Sequence, residues 1–453
     1  MSCNPLRRHH RVRGRAALLG LGLWALGAHA ALPAEVEAAL QRARVPADAL
    51  AVVVQEVGSP RSLLAQQDKT PLNPASLAQL QATAFEVGMF AKYSKLKDGD
   101  NSDEVWSGNL NYLALAFPLK NSINQALDRS QSPWGVGMGF ALLPYSTVGY
   151  DIESITTDPG YGTTSNTLKG SGGTYRIQWG TGVRYRSFSA GINAGYQFGK
   201  LINSRLVTFD SLDNSFSTDF LDETSINGFV FNLGVQYTHE FKKAGPNGSK
   251  IPRGERLIFG AFTGNGGNFK TNSSKLYQRV NIVDYSLLDT ILQETGRRQE
   301  GAMPSEFSVG LTYEKVNKLR IGFEYSAAAW SNYRNEAKPE NLLDTWRVAG
   351  GLEYIPDIIS YNKYSRRMRY RVGAFYGLDP RSISGEQLKR YGVTLGFGFP
   401  IILPRQQTSF VNLAIEAGKF GLDTDTGLRE TYAKATIGFT LNDNTWFFKR
   451  KFN

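Results

Sequence analysis

The sequence predicts an all-β protein: a transmembrane antiparallel β-barrel of about 14 strands, preceded by a short α/β N-terminal fragment. Three observations lead to this fold class. Long stretches alternate apolar and polar residues, 47 glycines and 12% aromatic residues suit many close-packed strands, and an export signal stands at the start. A mean hydropathy of −0.30 with 20% charged residues excludes a bundle of apolar helices but not a barrel.

Residues 1–30 have the three parts of a secretory signal peptide. Five arginines precede the apolar run 16–27, and Ala28-His29-Ala30 supplies the cleavage site. The run is too short for a membrane anchor, so we expect export and cleavage after Ala30. Cleavage removes Cys3, the only cysteine, and leaves His239 as the only histidine. We expect His239 at the wall or rim of a barrel, and we predict no metal and no cofactor.

Residues 31–72 read as a separate α/β fragment, with a helical opening followed by the strand-like ALAVVVQEV. Residues 31–76, ending in NPAS, resemble the start of a D-alanyl-D-alanine carboxypeptidase of the penicillin-binding class. The resemblance implies that Ser76 is a nucleophile opening an S-x-x-K motif, in which a lysine one helical turn later takes the hydroxyl proton. Gln79 occupies that lysine position, so we predict no catalysis here, and Ser76 is catalytic only under this alternative.

The composition changes abruptly at Phe85. Residues 31–84 contain no aromatic residue, whereas Asn, Gly, Ser, Tyr and Phe are common afterwards. The change marks a domain boundary, or a junction between two segments of different origin in a chimeric chain. Residues 73–84 are expected to connect to the barrel, which we place at 85–453.

From Phe85 onward the chain divides into strands of about ten alternating residues, the pattern of an outer-membrane barrel. The polar faces carry Arg, Gln, Glu and Gly, which suits a wet lumen better than the dry core of a β-sandwich. The expected strands are 86–97, 107–118, 134–148, 172–185, 188–200, 226–241, 255–268, 305–316, 319–331, 344–355, 368–379, 387–400, 408–420 and 430–442.

The connections between these strands predict the orientation. The tightest turns, 186–187 and 317–318, fall on the periplasmic side if the first strand runs outward. The longest connections, 149–171, 201–225 and 269–304, then fall outside as loops, as outer-membrane barrels require.

Fourteen strands, long third and fourth outer loops and a WFFKRKFN end resemble the FadL/TodX family of outer-membrane transporters of hydrophobic compounds. The resemblance covers residues 73–453. It implies that Asn73, Pro74 and Ala75 form the end of an N-terminal hatch in the lumen. It also implies a lateral opening at a kinked third strand, here at Pro144 and Tyr145, since proline cannot donate to a β-ladder. That opening and a simple bulge remain alternatives.

The resemblance implies passive uptake of hydrophobic small molecules, such as long-chain fatty acids or hydrocarbons. We expect docking on the outer-loop aromatics Phe209, Phe216, Phe220 and Tyr277, or else ordinary loop packing by these rings. Expected partners are outer-membrane lipid, the hydrophobic ligand and the barrel assembly machinery. No basic run suggests nucleic acid, and we expect a monomer. The alternatives are a periplasmic serine carboxypeptidase and a structural surface barrel.

Overall fold

The computed structural model describes residues 73–98, 101–119, 132–158, 162–209, 215–244, 250–281, 287–383, 385–403, 407–422 and 429–443. The predicted signal peptide, the α/β fragment 31–72 and the C-terminal WFFKRKFN lie outside the described residues. Within the described part, no helix is long and apolar enough to cross a membrane.

In the described part of the chain, seventeen strands form one antiparallel sheet. Their bounds are β1 Thr83–Asp98, β2 Asn101–Pro118, β3 Trp134–Asp158, β4 Gly162–Tyr185, β5 Phe188–Phe209, β6 Ser217–Ala244, β7 Lys250–Asn265, β8 Asn268–Val280, β9 Leu287–Ala302, β10 Glu306–Lys315, β11 Leu319–Ala328, β12 Arg334–Asn335, β13 Thr345–Tyr354, β14 Arg369–Ile383, β15 Glu386–Leu403, β16 Gln407–Gly421 and β17 Arg429–Asp443. The described residues also form three short helices: two 3₁₀ helices, Pro74–Gln79 and Trp330–Asn332, and α1, Tyr364–Arg367.

The sheet closes on itself because β1 pairs with both β2 and β17. Around the closed barrel, β7 pairs with β10 and β11 pairs with β13. The remaining strands β8, β9 and β12 belong to an extension that continues from the upper part of β6. Fourteen strands therefore form the barrel, which confirms the predicted number.

The outer face of the barrel carries an apolar band. On β5 the band runs from Phe188 to Phe198, and its cross-strand partners on β6 run from Tyr237 to Asn227. Ring pairs flank it: Trp134 and Tyr185 lie 4.7 Å apart at the end with the tight turns. An outer aromatic girdle, which includes Tyr93 and Trp106, borders the other end. Such an exterior suits lipid rather than water.

The expectation that three long connections are loops is wrong. β3 and β4 continue through 149–158 and 162–171, and β5 and β6 continue through much of 201–225. Most of 269–304 forms the hairpin β8–β9. These segments are polar, so the alternation that marks lipid-facing strands fades there. Their many Thr, Ile and Val residues still favour strands, and the cross-strand hydrogen bonds continue.

The tight turns are confirmed. Arg186 lies in a two-residue turn between Tyr185 and Phe188, and Asn317 lies in a three-residue turn between Lys315 and Leu319; both adopt left-handed backbone conformations, with φ of 54° and 60°. The interior is mostly polar, and the buried apolar cluster gathers around the 3₁₀ helix Pro74–Gln79. It comprises Leu77, Leu80, Ala84, Tyr112, Ala114, Ala116 and Ala141.

Candidate functional site

β2 and β3 are hydrogen-bonded along only a short part of their lengths. Among the described residues, the pairing joins Leu113–Pro118 to Gly137–Leu142 and ends there. Above it, β2 continues to pair with β1, and β3 continues to pair with β4. The upper part of β2 is open on both faces, and Trp106 is 73% exposed. We call this break in the wall, between the end of the pairing and the outer aromatic girdle, the lateral gap.

Pro144 and Tyr145 lie where β3 leaves β2. Pro144 pairs with Tyr175 and Ser146 pairs with Thr174, so Tyr145 is an extra residue in a bulge. A bulge accommodates a proline, which has no N–H to donate. The Tyr145 hydroxyl lies 4.0 Å from Met303 Sδ.

Tyr145 also contacts a cation on the neighbouring strand. The guanidinium carbon of Arg176 lies 4.4 Å from the centre of its ring. The structure thus places the predicted pair Pro144–Tyr145 at the lower corner of the lateral gap. Whether solutes leave there stays a prediction.

The 3₁₀ helix Pro74–Gln79, called the lumen helix below, lies inside the barrel against β2–β6. Asn73 caps it, because its side-chain oxygen accepts a hydrogen bond from Ala75 N at 3.1 Å, and Pro74 is favoured at the first position. Asn73 Nδ2 also donates to Val235 O at 2.9 Å and to Ala261 O at 3.3 Å. Asn73, Pro74 and Ala75 are therefore brought together and tied to the wall.

Glycines allow the lumen helix to lie close to the wall. A β-carbon at Gly137 would overlap the carbonyl oxygen of Leu77, and one at Gly191 would overlap the backbone of Pro74. Leu77 is only 1% exposed as a result. Glycines that alternate with apolar residues along the wall strands therefore form the surface against which the lumen helix packs.

Ser76 lies within the lumen helix and has a structural contact. Its Oγ donates to Asn73 O at 2.8 Å. Gln79, in the position where a lysine base would be needed, donates from Nε2 to Thr238 Oγ1 at 3.1 Å. His239 follows on the exposed side of β6, and its ring contacts Phe241 at 5.1 Å. The arrangement gives Ser76 no neighbouring lysine on its own helix.

An ionic cluster lines the opposite wall near the same end of the barrel. Glu314 accepts from Arg256 Nε at 2.5 Å and from Arg320 Nη2 at 2.9 Å. Glu353 accepts from Arg371 Nε at 2.6 Å. These five residues, called the ionic belt below, come from β7, β10, β11, β13 and β14. Buried ion pairs of this kind are costly to break and form a strongly polar lining.

The four predicted docking aromatics all lie above the apolar band. Phe220 and Tyr277 are cross-strand partners on β6 and β8, with ring centres 5.0 Å apart. Tyr277 donates to Asp222 Oδ1 at 3.1 Å. Burial and this carboxylate raise the pKa of the Tyr277 hydroxyl. Phe209 ends β5, and Phe216 is 53% exposed just before β6. The structure thus brings Phe220 and Tyr277 together.

Sequence reasoning missed the ionic belt and the β2 side of the lateral gap. The belt could have been found from the acids and arginines that flank the predicted turns, since antiparallel pairing brings them together. The gap could have been suspected from SDEVWSG, residues 102–108, in which no apolar face alternates with a polar one. Both sides of that segment are exposed.

Comparisons with known proteins give a family match and several structural matches. A family model described as BamG matches residues 66–453. A search of the curated proteins gives no match. None of the comparisons supports the carboxypeptidase resemblance of residues 31–76, and the BamG match includes Ser76.

Several solved membrane channels are similar in structure. A FadL homologue from Pseudomonas aeruginosa matches with a TM-score of 0.51 and 13% identity, over 88% of this chain and 100% of that one. The toluene transporter TodX of P. putida gives 0.47 and 16%, over 84% and 93%. The CymD monoaromatic hydrocarbon channel gives 0.46 and 14%, over 82% and 91%. The likeness to the FadL homologue shows the fold.

Proposed function

The chain belongs to the BamG family. From this premise and the barrel geometry, we propose that it is an outer-membrane channel for passive uptake of hydrophobic small molecules, such as long-chain fatty acids or hydrocarbons. The observation that carries the proposal is the lateral gap, where the pairing of β2 with β3 stops at Leu113 and Leu142. The apolar band and its aromatic ends support the location in the outer membrane.

The proposed route follows the cost of hydrating an apolar solute. The solute docks on the outer extension, where Phe220 and Tyr277 form a ring pair and Phe216 is exposed. It enters the lumen and leaves through the lateral gap at Pro144 and Tyr145. Exit into lipid avoids the hydration cost of about 25 cal/mol per Å² of apolar surface. The resemblance of residues 73–453 to the FadL/TodX family, together with the likeness of the barrel to a FadL homologue, supports this solute class.

The lumen helix is the proposed hatch. It covers the β2–β6 side of the lumen, while the ionic belt lines the opposite side near the same end. An apolar solute gains nothing from charged side chains, so the periplasmic end favours retention of the solute rather than its release. The Asn73–Ala75 cap holds the helix in this position.

The test removes the bulge without removing the strand. Deletion of Tyr145 leaves Pro144 opposite Tyr175 and Ser146 opposite Thr174, which restores a regular β3–β4 ladder. The matched control, Tyr145→Ala, keeps the bulge and removes only the side chain. Uptake of a radiolabelled long-chain fatty acid and of labelled toluene is measured in cells that make equal amounts of heat-modifiable barrel.

We expect uptake above the empty vector for the unaltered chain and for Tyr145→Ala, and severalfold lower uptake after the deletion. Uptake equal to the empty vector for the unaltered chain would contradict the channel and leave a structural surface barrel. Equal uptake by the deletion variant and the unaltered chain would contradict the lateral route alone.

A second role is supported by the family match. We propose that the barrel associates with the barrel assembly machinery of the outer membrane, as its membership of the BamG family suggests. Affinity capture of the tagged full chain from detergent-solubilised outer membranes, beside an unrelated tagged barrel of equal abundance, tests it. Equal recovery of the machinery with both barrels would contradict a specific association.

We infer no enzymatic activity. The Ser76 hydroxyl donates to a backbone carbonyl, and Gln79 stands where a carboxypeptidase needs its lysine. A labelled penicillin is expected to leave the protein unmodified. Acylation that Ser76→Ala abolishes would restore the carboxypeptidase alternative.

A further inference from the structure

A cationic cavity lies on the barrel at its outer end. It has a volume of about 260 Å³ and is lined by residues of β1, β15, β16 and β17 and by Leu422. Five of the lining residues are cations, which we call the rim patch: Lys95, Lys97, Lys389, Lys419 and Arg429.

The strand register places the rim patch on the outer face, in two rows above the apolar band. In the upper row, Lys97 pairs with Arg429, Arg429 with Gly421, and Gly421 with Lys389. Residues of one row point to one face because side chains alternate along each strand.

The lower row runs Lys95–Thr431–Lys419–Tyr391, and the row below it runs Tyr93–Ala433–Ala417–Val393. The change from Lys and Thr to Tyr, Ala and Val falls at the level of the outer aromatic girdle. The rim patch therefore faces the layer where lipid headgroups meet water, not the lumen.

Positive charge dominates the described lining of this cavity. Lys97 and Arg429 are direct cross-strand neighbours of like charge, an arrangement that is unfavourable by itself. Among the described lining residues the one carboxylate is that of Glu430, which lies 2.6 Å from Lys92. The nearby Glu104 lies 3.5 Å from Lys95 in an exposed pair of low strength. An external anion with more than one charge fits this surface.

We propose that the rim patch binds the phosphate groups of a phosphorylated glycolipid of the outer leaflet, of the lipid A type. The inference rests on the proposed location in the outer membrane but not on transport. The apolar rows below the patch contact the acyl chains, while cations on four neighbouring strands contact the phosphates. Strands about 4.8 Å apart place these cations within the span of a sugar headgroup with two phosphates.

The test uses the purified full chain, folded in micelles of an uncharged detergent. Binding of fluorescent lipid A with two phosphates is compared with that of its dephosphorylated form. The variant Lys97→Gln/Lys419→Gln removes two charges from the patch. Lys242→Gln/Lys243→Gln makes the same change at the exposed periplasmic end of β6. Heat-modifiable mobility checks that all forms are folded.

We expect the affinity for lipid A to be about 30-fold lower for the rim variant. Each basic residue near anionic headgroups contributes about 1 kcal/mol to binding, and the variant removes two. The control variant should bind as the unaltered chain does, and binding should weaken between low and high salt. Affinity within twofold of the unaltered chain for the rim variant would overturn the proposal. So would equal binding of dephosphorylated lipid, or displacement of lipid A by millimolar inorganic phosphate. Because binding needs no uptake, failure here is distinct from failure of the channel.

Discussion

Leu77 holds the lumen helix in the barrel, and Leu77→Asp is expected to release it. The side chain is 1% exposed and lies in the apolar cluster with Leu80 and Tyr112. A carboxylate at this position would be buried next to Gly137 and Gly139, where the wall offers backbone and methyl groups. Burial of an unpaired charge is costly, so the segment should leave the wall instead.

The magnitudes decide which part of the molecule gives way. Loss of the leucine removes about 2–5 kcal/mol of packing, and the buried charge adds several kcal/mol more. Side-chain hydrogen bonds from Asn73 and Gln79 to the wall also hold the segment. Each hydrogen bond contributes about 1 kcal/mol, so together they stabilise the bound helix by less than the lost packing and the buried charge destabilise it. The barrel strands keep their own ladders, so the helix should detach while the barrel stays closed.

A thiol on the helix reports detachment. Ala75 is 0% exposed, so the Ala75→Cys thiol should react slowly with a membrane-impermeant maleimide in the otherwise unaltered protein. The single native cysteine, Cys3, is replaced by serine. Adding Leu77→Asp should speed the reaction at least tenfold, whereas Leu77→Met, which conserves volume, should not. Slow labelling of a heat-modifiable Leu77→Asp barrel would refute the assignment of Leu77 as the anchor.

Three other changes test the interior and the extension. Glu353→Gln should lower the free energy of unfolding by about 3–5 kcal/mol, because the mostly buried Arg371 keeps its charge and loses its partner. The control Glu104→Gln, in an exposed ion pair, should lower it by at most about 1 kcal/mol. Both values are measured from the temperature at which the heat-modifiable gel mobility is lost. Gly191→Val should displace the lumen helix and speed labelling of the Ala75→Cys thiol as Leu77→Asp does, since a β-carbon overlaps Pro74. Burial raises the pKa of Asp219, so ionisation of this carboxyl destabilises the local fold as pH rises above about 4. Asp219→Asn should therefore slow hydrogen exchange in the extension at pH 7 but not at pH 3.

The lipid-facing half of the fold was readable from the sequence. Lipid accepts only apolar side chains, so Phe188, Ile192 and Phe198 had to recur with period two, and the strand count followed. The short turns at Arg186 and Asn317 were equally constrained, because the strands on either side leave only two and three residues for the reversal.

The interior was not readable in the same way. A polar position in the lumen can contact water, an ion-pair partner or another segment of the chain. Gly191 and Glu314 therefore fit the same alternating pattern, although Gly191 packs against the lumen helix and Glu314 binds two arginines. The polar extension was mistaken for loops for the same reason. Pro144 predicted an irregularity but not its extent, because the missing β2–β3 pairing depends on both strands.

The lumen helix and the lateral gap should control different solutes. An apolar solute of about 200 Å² that left through the periplasmic end would lose about 5 kcal/mol on hydration, whereas exit through the gap carries no such cost. Leu77→Asp should therefore admit small polar molecules, measured as swelling of proteoliposomes in sugar solutions, with little change in fatty-acid uptake. Deletion of Tyr145 should lower fatty-acid uptake and leave the entry of sugars unchanged. If Leu77→Asp abolished fatty-acid uptake and left sugar entry unchanged, the hydrophobic route would run past the helix, and the gap would be only a break in the wall.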